Sequence, residues 1–469
     1  MTQTTVSAFI DLATFDEIEK YLYGYEHAIT YFVRQTKKCT WFSQIPVKLT
    51  NGSGNPEFGK EFSFHVSRSG DYLLNTWLRV KLNAPVLKPK TSWTDGSNTI
   101  LKSAARYTNN LMHNLVKKVE IKFNDLTAQE IKSYHLDFWR CFTIPASKRH
   151  GYNKMIGNNN MNRWVTATKT GSNPTVYDGT LGDVYLNLPL PLFYDRDSGS
   201  ALPTAALPYN DMRIHFEFRN WTELIIMDRT CGGQVLDSNG NAVSTGPSSF
   251  EAATLDDFEA GKEPRLSEVE LWANYAIVSQ KERKRMGKHA RDIVIEQVQH
   301  APVESFAAAV GATKHYDLRF SHAVKAVLFG IRNKSVANEL SNYSADSPVY
   351  ASNAGEFYHQ GETNILSKAS LVYENTNRLG NMGIDYFTLV QPYYHATADG
   401  TDQPGVCMYS YSLELDSYDP MGSTNYGKLT NVTLSPTAAV EVAKSEFLCS
   451  VVNYNVIRIA GGALGFPVL

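Results

Sequence analysis

The sequence predicts an all-β protein built from two tandem eight-stranded antiparallel jelly rolls (a double jelly roll), with short helices in the loops. Apolar and polar residues alternate with the period of a half-buried strand in many segments, and Met212 to Phe218 is the clearest of them. Each half of the chain carries about eight such segments, separated by loops of unequal length. Short sequences also recur between the halves, which indicates that one β-unit is present twice.

Two recurrences support this duplication. Residues 209–214 (YNDMRI) return as residues 454–459 (YNVIRI), identical at four of six positions. A weaker recurrence at a different offset relates Tyr185, Leu188 and Pro191 to Tyr386, Leu389 and Pro392. The strand period alone does not distinguish a jelly roll from another β-sandwich, so the fold prediction depends on the strand number and the repetition together.

Length and composition limit the possible functions. A chain of 469 residues exceeds one ordinary core, so two domains of roughly 200 residues are expected. Hydrophobic residues make up 43% of the chain and charged residues 20%, which is enough for two buried cores. The net charge of −2 argues against a protein that wraps nucleic acid, because phosphate binding needs an excess of Lys and Arg. We therefore expect no direct contact with nucleic acid.

Cysteine usage and the N-terminal segment predict the compartment. The five cysteines are scattered, which favours free thiols over a disulfide framework or a zinc site. The N-terminal residues lack the basic and apolar regions of a signal peptide, and no apolar run approaches the ~20 residues that span a bilayer. These features predict a protein that is soluble and intracellular when it is made.

The pass along the chain divides it into an N-terminal arm at residues 1–25, jelly roll 1 at 26–220, a linker and surface loop at 221–265, and jelly roll 2 at 266–469. In the arm, Thr14 to Glu17 matches a helix capping box, and Gly24 is a stop signal. The linker is predicted from a run rich in Gly, Ser and Asn that precedes an acidic piece.

Further elements are predicted from local patterns. Capping boxes at Thr127 to Glu130 and at Ser279 to Glu282 predict two helices, the second ending at Gly287. The basic residues of the second helix are typical of a solvated face. A strand is expected at Tyr386 to Val390. Long loops are expected at residues 83–106, 151–183, 333–370 and 396–406.

No stretch predicts catalytic, cofactor-binding or metal-binding residues. Gly54 to Glu61 imitates a phosphate-binding loop, but Glu61 stands where Ser or Thr must bind magnesium, and a strand pattern follows. Seven histidines show no metal-ligand spacing: His113, His135, His150, His289, His300, His315 and His322. Two acid pairs could decorate a carbohydrate-cleaving site, His315 with Asp317 and Asp195 with Asp197, although such residues are usually turn formers.

Several stretches in both halves resemble the major capsid proteins of iridoviruses, within the nucleocytoplasmic large DNA viruses, and most closely the invertebrate members. The resemblance rests on residues 70–74 (GDYLL), 110–114 (NLMHN), 134–139 (YHLDFW), 202–214, 317–323 (DLRFSHA), 373–379 (YENTNRL), 422–427 (GSTNYG) and 461–467 (GGALGFP). It spans essentially the whole chain.

The resemblance implies a structural protein without enzyme activity, expressed late. It implies homotrimeric, pseudo-hexagonal capsomers that tile an icosahedral shell around an internal membrane, assembled in the host cytoplasm. Residues 1–25 would then meet minor capsid proteins or the membrane-facing layer. The alternative from another class is a carbohydrate-binding or carbohydrate-cleaving β-sandwich, which the residues alone leave open.

Overall fold

The computed structural model describes residues 9–10, 13–14, 16–24, 28–34, 36–89, 91–95, 98–158, 164–170, 181–228, 234–236, 242–244, 250–336, 338–345, 363–398, 400 and 403–467. The chain divides into two units, residues 1–41 and residues 42–469, of which the second is one compact body. Within the described ranges, every helix is too short or too polar to cross a lipid bilayer.

The first unit contains helix α1 (Glu17–Tyr23). Its N-cap is Asp16, whose side chain accepts a hydrogen bond from the backbone N–H of Glu17, while Glu19 reaches back to the N–H of Asp16. The predicted cap at Thr14 is therefore wrong by two residues, because the reciprocal carboxylate pair of Asp16 and Glu19 fixes the start. The predicted stop at Gly24 is confirmed.

The second unit is mainly β-sheet. Its first strands are β1 (Phe42–Lys48), β2 (Thr50–Ser53), β3 (Glu61–His65), β4 (Tyr72–Leu82), β5 (Thr91–Asp95), β6 (Asn98–Tyr107), β7 (Val116–Phe123), β8 (Leu126–Lys132), β9 (Val165–Thr170), β10 (Val184–Pro189), β11 (Met212–Phe218), β12 (Ile225–Asp228), β13 (Gln234–Leu236), β14 (Ala242–Ser244), β15 (Phe250–Ala252) and β16 (Leu266–Val278). The later strands are β17 (Arg291–His300), β18 (Glu304–Ser305), β19 (Tyr316–Asp317), β20 (Ala323–Asn333), β21 (Leu366–Tyr373), β22 (Thr376–Gly383), β23 (Val406–Ser410), β24 (Thr424–Asn425), β25 (Val432–Ala438), β26 (Ser445–Ala460) and β27 (Ala463–Gly465).

Short helices interrupt the strands. They are α2 (Leu111–Leu115), α3 (Ser133–Thr143), α4 (Ala146–Ile156), α5 (Gln280–Lys288) and α6 (Gln391–His395), with a π-helical turn at Tyr386–Val390 that leads into α6. Single 3-10 turns lie at Phe193–Asp195, Ser198–Ser200, Thr204–Ala206, Trp221–Glu223, Leu255–Asp257 and Tyr426–Lys428.

The two halves repeat one strand order. In the first half, the described strands form a sheet of order β1-β16-β4-β10 and another that contains β3-β11-β7-β8, with β2 added at its edge. In the second half, the sheets contain β17-β26-β20-β23 and β19-β25-β21-β22. The eight barrel strands of the first half are, in chain order, β1, β3, β4, β7, β8, β10, β11 and β16, and those of the second half are β17, β19, β20, β21, β22, β23, β25 and β26. In both halves one sheet has the order first, eighth, third, sixth, and the other has the order second, seventh, fourth, fifth. All these pairs are antiparallel. This is the double jelly roll that the sequence predicts.

The sequence recurrences do not mark this duplication. Met212–Phe218 is the seventh strand of the first half, whereas residues 454–459 lie on β26, the eighth strand of the second half. The weaker recurrence fails too, since Tyr185 is on strand β10 but Tyr386–Val390 is a π-helical turn, so the predicted strand there is wrong. In this segment Phe387 packs into the second core, with Tyr386 half-buried against it, whereas Leu389 and Val390 are exposed. Two jelly rolls are present, but neither of the short repeats that suggested them joins equivalent elements of the two halves.

Three predicted loops contain sheet structure. Strands β5 and β6 lie in residues 83–106, β9 lies in 151–183, and β12 and β15 lie in the predicted linker, and these five join in one sheet. Strand β12 is fully buried on both faces, so it lacks the alternation that would have revealed it. The predicted loop at 333–370 likewise ends in β21, which starts at Leu366.

Two helix predictions have different outcomes. Thr127 to Glu130 is not a helix start but part of β8, because a tight turn at Asn124, whose φ is +53°, folds these residues back onto β7. The helix begins only at Ser133. The Ser279 cap is confirmed, since its hydroxyl accepts from the N–H of Glu282, and α5 ends one residue after Gly287.

Strand β16 belongs with the first half. It pairs with β1 and β4, so its hydrogen bonds lie in the first jelly roll, although the sequence places residues 266–469 in the second. Side chains of β16 such as Leu271 and Tyr275 join the first core.

A candidate functional site at the junction of the jelly rolls

Helix α3 joins the two jelly rolls. It follows β8 directly, and Leu136 on one side of it packs into the core of the first jelly roll. Phe138 and Phe142, on another side, pack against the second jelly roll, where they meet Ala326, Leu328, Met408 and Leu448. A helix that is apolar on more than one side is typical of a buried position. Gly330 leaves space for it, since a Cβ there would lie 3.4 Å from the Phe138 ring.

A buried carboxylate lies at the centre of the junction. One oxygen of Asp137 on α3 accepts from Asn110 Nδ2 and lies 2.8 Å from His113 Nδ1. Its other oxygen accepts from two hydroxyls of the second half, Ser341 at 2.7 Å and Tyr343 at 3.0 Å. Burial would raise the pKa of Asp137, but the contacts with His113, Ser341 and Tyr343 lower the pKa below its usual value. The carboxylate is therefore charged and fully hydrogen-bonded.

Asp137, His113 and Tyr152 are in the order of a catalytic triad. His113 Nε2 lies 2.8 Å from the Tyr152 hydroxyl, and burial lowers the pKa of the imidazole. The side chains of His113 and Asp137 have no exposed surface, and Tyr152 is partly buried. These hydrogen bonds link α2, α3 and α4.

Two clusters of ion-paired side chains also link the two jelly rolls. Arg106 of β6 pairs with Glu339 of the second half, and neither side chain has exposed surface. Glu296 on β17 accepts from Arg196 of the first half at 2.8 Å and from Lys325 at 2.6 Å. Burial lowers the pKa of Lys325, and the contact with Glu296 opposes this effect. Arg196 also lies over the Trp139 ring of α3, 4.4 Å from its centre.

Two buried histidines complete the contact. His135 Nδ1 lies 2.9 Å from the Ser450 hydroxyl, and burial followed by the charge of Arg196 lowers the pKa of His135 to about 3. His300 Nδ1 lies 3.0 Å from the Tyr134 hydroxyl, and burial places its pKa well below the usual value. Both imidazoles are neutral hydrogen-bonding groups at neutral pH.

This junction fixes geometry more than it adds net stability. Buried ion pairs pay a large desolvation cost, so their replacement by apolar groups is often neutral, whereas loss of one partner is strongly destabilising. Only the arrangement that satisfies every buried group is therefore low in energy. We infer that the junction makes the two jelly rolls one rigid block.

The predicted acid pairs do not form a site. His315 Nδ1 contacts the Ser435 hydroxyl at 2.7 Å, and Asp317 accepts from the Thr433 hydroxyl at 3.0 Å, both along strand β25. Burial raises the pKa of Asp195 to about 7, while the exposed Asp197 caps a 3-10 turn by accepting from the N–H of Gly199. The described residues contain no group of three or more His, Cys, Asp or Glu that could hold a metal ion.

The imitation of a phosphate-binding loop is the connection between strands β2 and β3. Gly54 adopts φ of +77°, Lys60 forms an ion pair with Glu57, and strand β3 follows at Glu61. A phosphate site of this type would need a helix at that point.

Sequence reasoning missed the junction residues. Asp137, His135 and Arg140 share one helix with five aromatic and aliphatic side chains, and this mixture of polar and apolar residues on every side is typical of a buried helix with paired polar groups. That signal could have indicated their burial. The partners of Asp137 and His135 in the second half, Ser341 and Ser450, could not have been found because they are distant in the chain.

The repeated barrel and the sealed junction define a structural protein of the double jelly-roll class. Residues 30–278 match the family model described as "Major capsid protein N-terminus", and residues 282–465 match "Large eukaryotic DNA virus major capsid protein". The chain therefore belongs to the major capsid proteins of large eukaryotic DNA viruses.

A relative agrees with this assignment, and solved structures share the fold. The chain is 47% identical to the major capsid protein of Costelytra zealandica iridescent virus, over 99% of this chain and 98% of that protein. The fold is similar to the Faustovirus major capsid protein, with a TM-score of 0.70 and 13% identity over 95% of this chain and 94% of that one. It is also similar to a chain of the PBCV-1 virus capsid, with a TM-score of 0.67 and 19% identity over 94% of this chain and all of that one.

The protein is thus a structural component of the virion capsid, where it assembles with copies of itself into the shell. The resemblance to iridovirus capsid proteins is confirmed. The family is one of structural proteins rather than enzymes, which favours the capsid function over the carbohydrate-directed alternative.

Proposed function

We propose that the protein forms homotrimeric capsomers with a pseudo-hexagonal outline, which tile an icosahedral shell around an internal membrane. The observation that carries this proposal is the identical strand order of the two halves. Three copies of a chain with two similar barrels present six similar sides, so a threefold particle can pack with hexagonal neighbours. The polar junction supports the proposal because a rigid pair of barrels keeps those six sides in place.

The domains of this capsomer subunit would divide after Val278. Strand β16 completes the sheets of the first jelly roll, and α5 then leads to β17, the first strand of the second. The two family models also meet between residues 278 and 282.

The N-terminal arm would bind minor capsid proteins or the membrane-facing layer beneath the shell. Ile18, Tyr21 and Leu22 of α1 are each more than 60% exposed, and Tyr31 and Phe32 are 98% exposed. A short helix with exposed apolar side chains gains stability by docking onto a partner. Shell assembly would take place in the host cytoplasm, without direct contact between this protein and the genome.

The mass of the purified protein in solution tests the trimer. Light scattering should give a species near three times 52.4 kDa that does not dissociate on dilution. A stable monomer that is correctly folded would contradict the proposal, and sugar-dependent binding by that monomer would support the carbohydrate alternative instead.

A further inference from the structure

The two jelly rolls share a structural repeat that the sequence recurrences did not show. In the first, the β7–β8 hairpin turns at residues 124–125, and α3 follows β8. In the second, the β21–β22 hairpin turns at residues 374–375, and the helical segment Tyr386–His395 follows β22. When the ends of β8 and β22 are aligned, Leu136, Phe138 and Phe142 correspond to Phe387, Leu389 and Tyr393.

The inner sides of the two helical segments behave alike. Leu136 packs into the core of the first jelly roll, and Phe387 packs into the core of the second, where its ring lies 5.5 Å from that of Phe329. Each helix is therefore anchored on its own barrel by the corresponding residue. This agreement supports the alignment independently of the strand ends.

The outer sides of the two segments differ in what covers them. Phe138 and Phe142 are fully buried against the second jelly roll of the same chain. Their counterparts are exposed, Leu389 by 53% and Tyr393 by 79%, and the adjacent Tyr394 is 69% exposed. Exposed aromatic side chains clustered on one helix are typical of a protein–protein contact.

The surface that α3 covers also has a counterpart. Within the chain, α3 lies on the outer face of the β17-β26-β20-β23 sheet, through residues such as Leu328 and Leu448. The corresponding sheet of the first jelly roll is β1-β16-β4-β10. Its outer face carries Trp77 and Trp272, partly exposed and stacked with ring centres 6.2 Å apart, and Tyr185, which is 41% exposed.

The charges on this outer face are largely paired. Lys48 binds Glu270, the Tyr185 hydroxyl donates to Glu268, and the Arg79 guanidinium lies 4.3 Å from the centre of the Tyr185 ring. An aromatic surface with its charges already neutralised suits an aromatic partner, because little unpaired charge would be desolvated on docking.

We infer that the segment Tyr386–His395 of one chain docks onto the outer face of the β1-β16-β4-β10 sheet of a second copy of this chain. The contact between copies then repeats the contact that α3 makes within one chain. It is a head-to-tail contact, and in the trimer proposed above the intrachain and interchain junctions would alternate around six barrels. This inference rests on the trimer proposed above and assigns its interface.

Two complementary variants test the interface. The first carries Leu389→Asp and Tyr393→Asp, which damages only the docking segment. The second carries Trp272→Asp, which damages only the receiving face, with Tyr185→Asp as a substitute if the Trp272 variant does not fold. Val310→Asp, at a residue 67% exposed on a different loop, is the matched control. Circular dichroism establishes that each variant is folded, and light scattering gives its mass.

Each interface variant should be a monomer, and the control should remain a trimer. An equimolar mixture of the two variants should form a species near twice 52.4 kDa, because one intact contact remains and the ring cannot close. Folded interface variants that remain trimeric, or a mixture that stays monomeric, would overturn the inference while the trimer itself stands. A monomeric unmodified protein would overturn both.

Discussion

At the scale of single residues, Asp137 shows how the junction selects one arrangement of the two jelly rolls. Its carboxylate receives donors from both halves of the chain, and His113 and Tyr343 are among them. Removal of a donor would leave part of this buried charge without a hydrogen bond, which is destabilising by about 1–3 kcal/mol. A displaced barrel would lose these donors together. The cluster therefore penalises relative movement of the two halves.

The buried histidines make the junction sensitive to acid. Burial lowers the folded-state pKa of His135 to about 3 and that of His300 well below its usual value, whereas both titrate near 6.5 when unfolded. Below pH 6.5 the unfolded chain binds protons that the folded chain does not. We predict that the free energy of unfolding falls from pH 6.5 downward, by about 1.4 kcal/mol per pH unit for each histidine.

Urea unfolding between pH 4 and pH 7 measures this slope. A variant with His135→Gln and His300→Gln should be less stable at pH 7 but should show a flatter slope, whereas His150→Gln, at an exposed histidine, should retain the original one. Asp195, with its pKa raised by burial, acts in the opposite direction but equally in all three proteins, so it cancels. Equal slopes for the double variant and the unmodified protein would contradict the assignment.

At the scale of elements, α3 carries the contact between the barrels. Phe138 is fully buried between them, so Phe138→Ala removes apolar contacts and leaves a cavity. We predict a loss of about 3–5 kcal/mol in the free energy of unfolding. Met155→Ala on the surface of α4 should cost less than about 0.5 kcal/mol. Urea titration at one protein concentration compares them, and equal losses would show that α3 does not anchor the junction.

The N-terminal arm should be dispensable for the capsomer but needed for the shell. Removal of residues 1–24 deletes α1, whose apolar residues are exposed, and leaves the compact unit from Phe42 intact. We predict that the truncated protein still forms trimers but assembles poorly into shells. Replacement of Ile18 and Leu22 by Ser should have the same effect if the apolar face binds the partner.

Light scattering of the truncated protein and electron microscopy of infected-cell or co-expression assemblies would report the two properties separately. Trimers lost together with the arm would show that the arm belongs to the trimer fold.

The sequence allowed some elements to be predicted and concealed others for physical reasons. Strand β11 has one solvated face, shows clean alternation and was predicted. Strand β12 is buried on both faces and has no such pattern. The capping box at Thr127 to Glu130 predicted a helix, but its start was placed too early because hairpin pairing overrides the local capping signal in β8, and α3 begins only at Ser133.

The junction was beyond sequence reasoning because its partners are joined only by the fold. Asp137 meets Ser341 at a separation of 204 residues, and His135 meets Ser450 at a separation of 315 residues. The apparent sequence repeats also misled, since they connected a seventh strand with an eighth. The repeat that matters, the hairpin followed by a helix, is conserved in geometry and carries little sequence identity.

At the scale of the whole molecule, duplication and rigidity act together. Two barrels of the same strand order give one chain two similar outer sides, and the polar junction keeps them in a fixed relation. A threefold assembly of such chains has six similar sides, which suits contacts with six neighbours in a shell. The capsid function thus follows from how the chain is doubled.

The most direct measurement of this account is electron microscopy of the isolated oligomer, averaged without imposed symmetry. We predict a particle of three chains with threefold symmetry and a six-lobed, nearly hexagonal outline. A three-lobed particle, in which the two barrels of each chain are stacked rather than side by side, would contradict it, as would a ring of six chains.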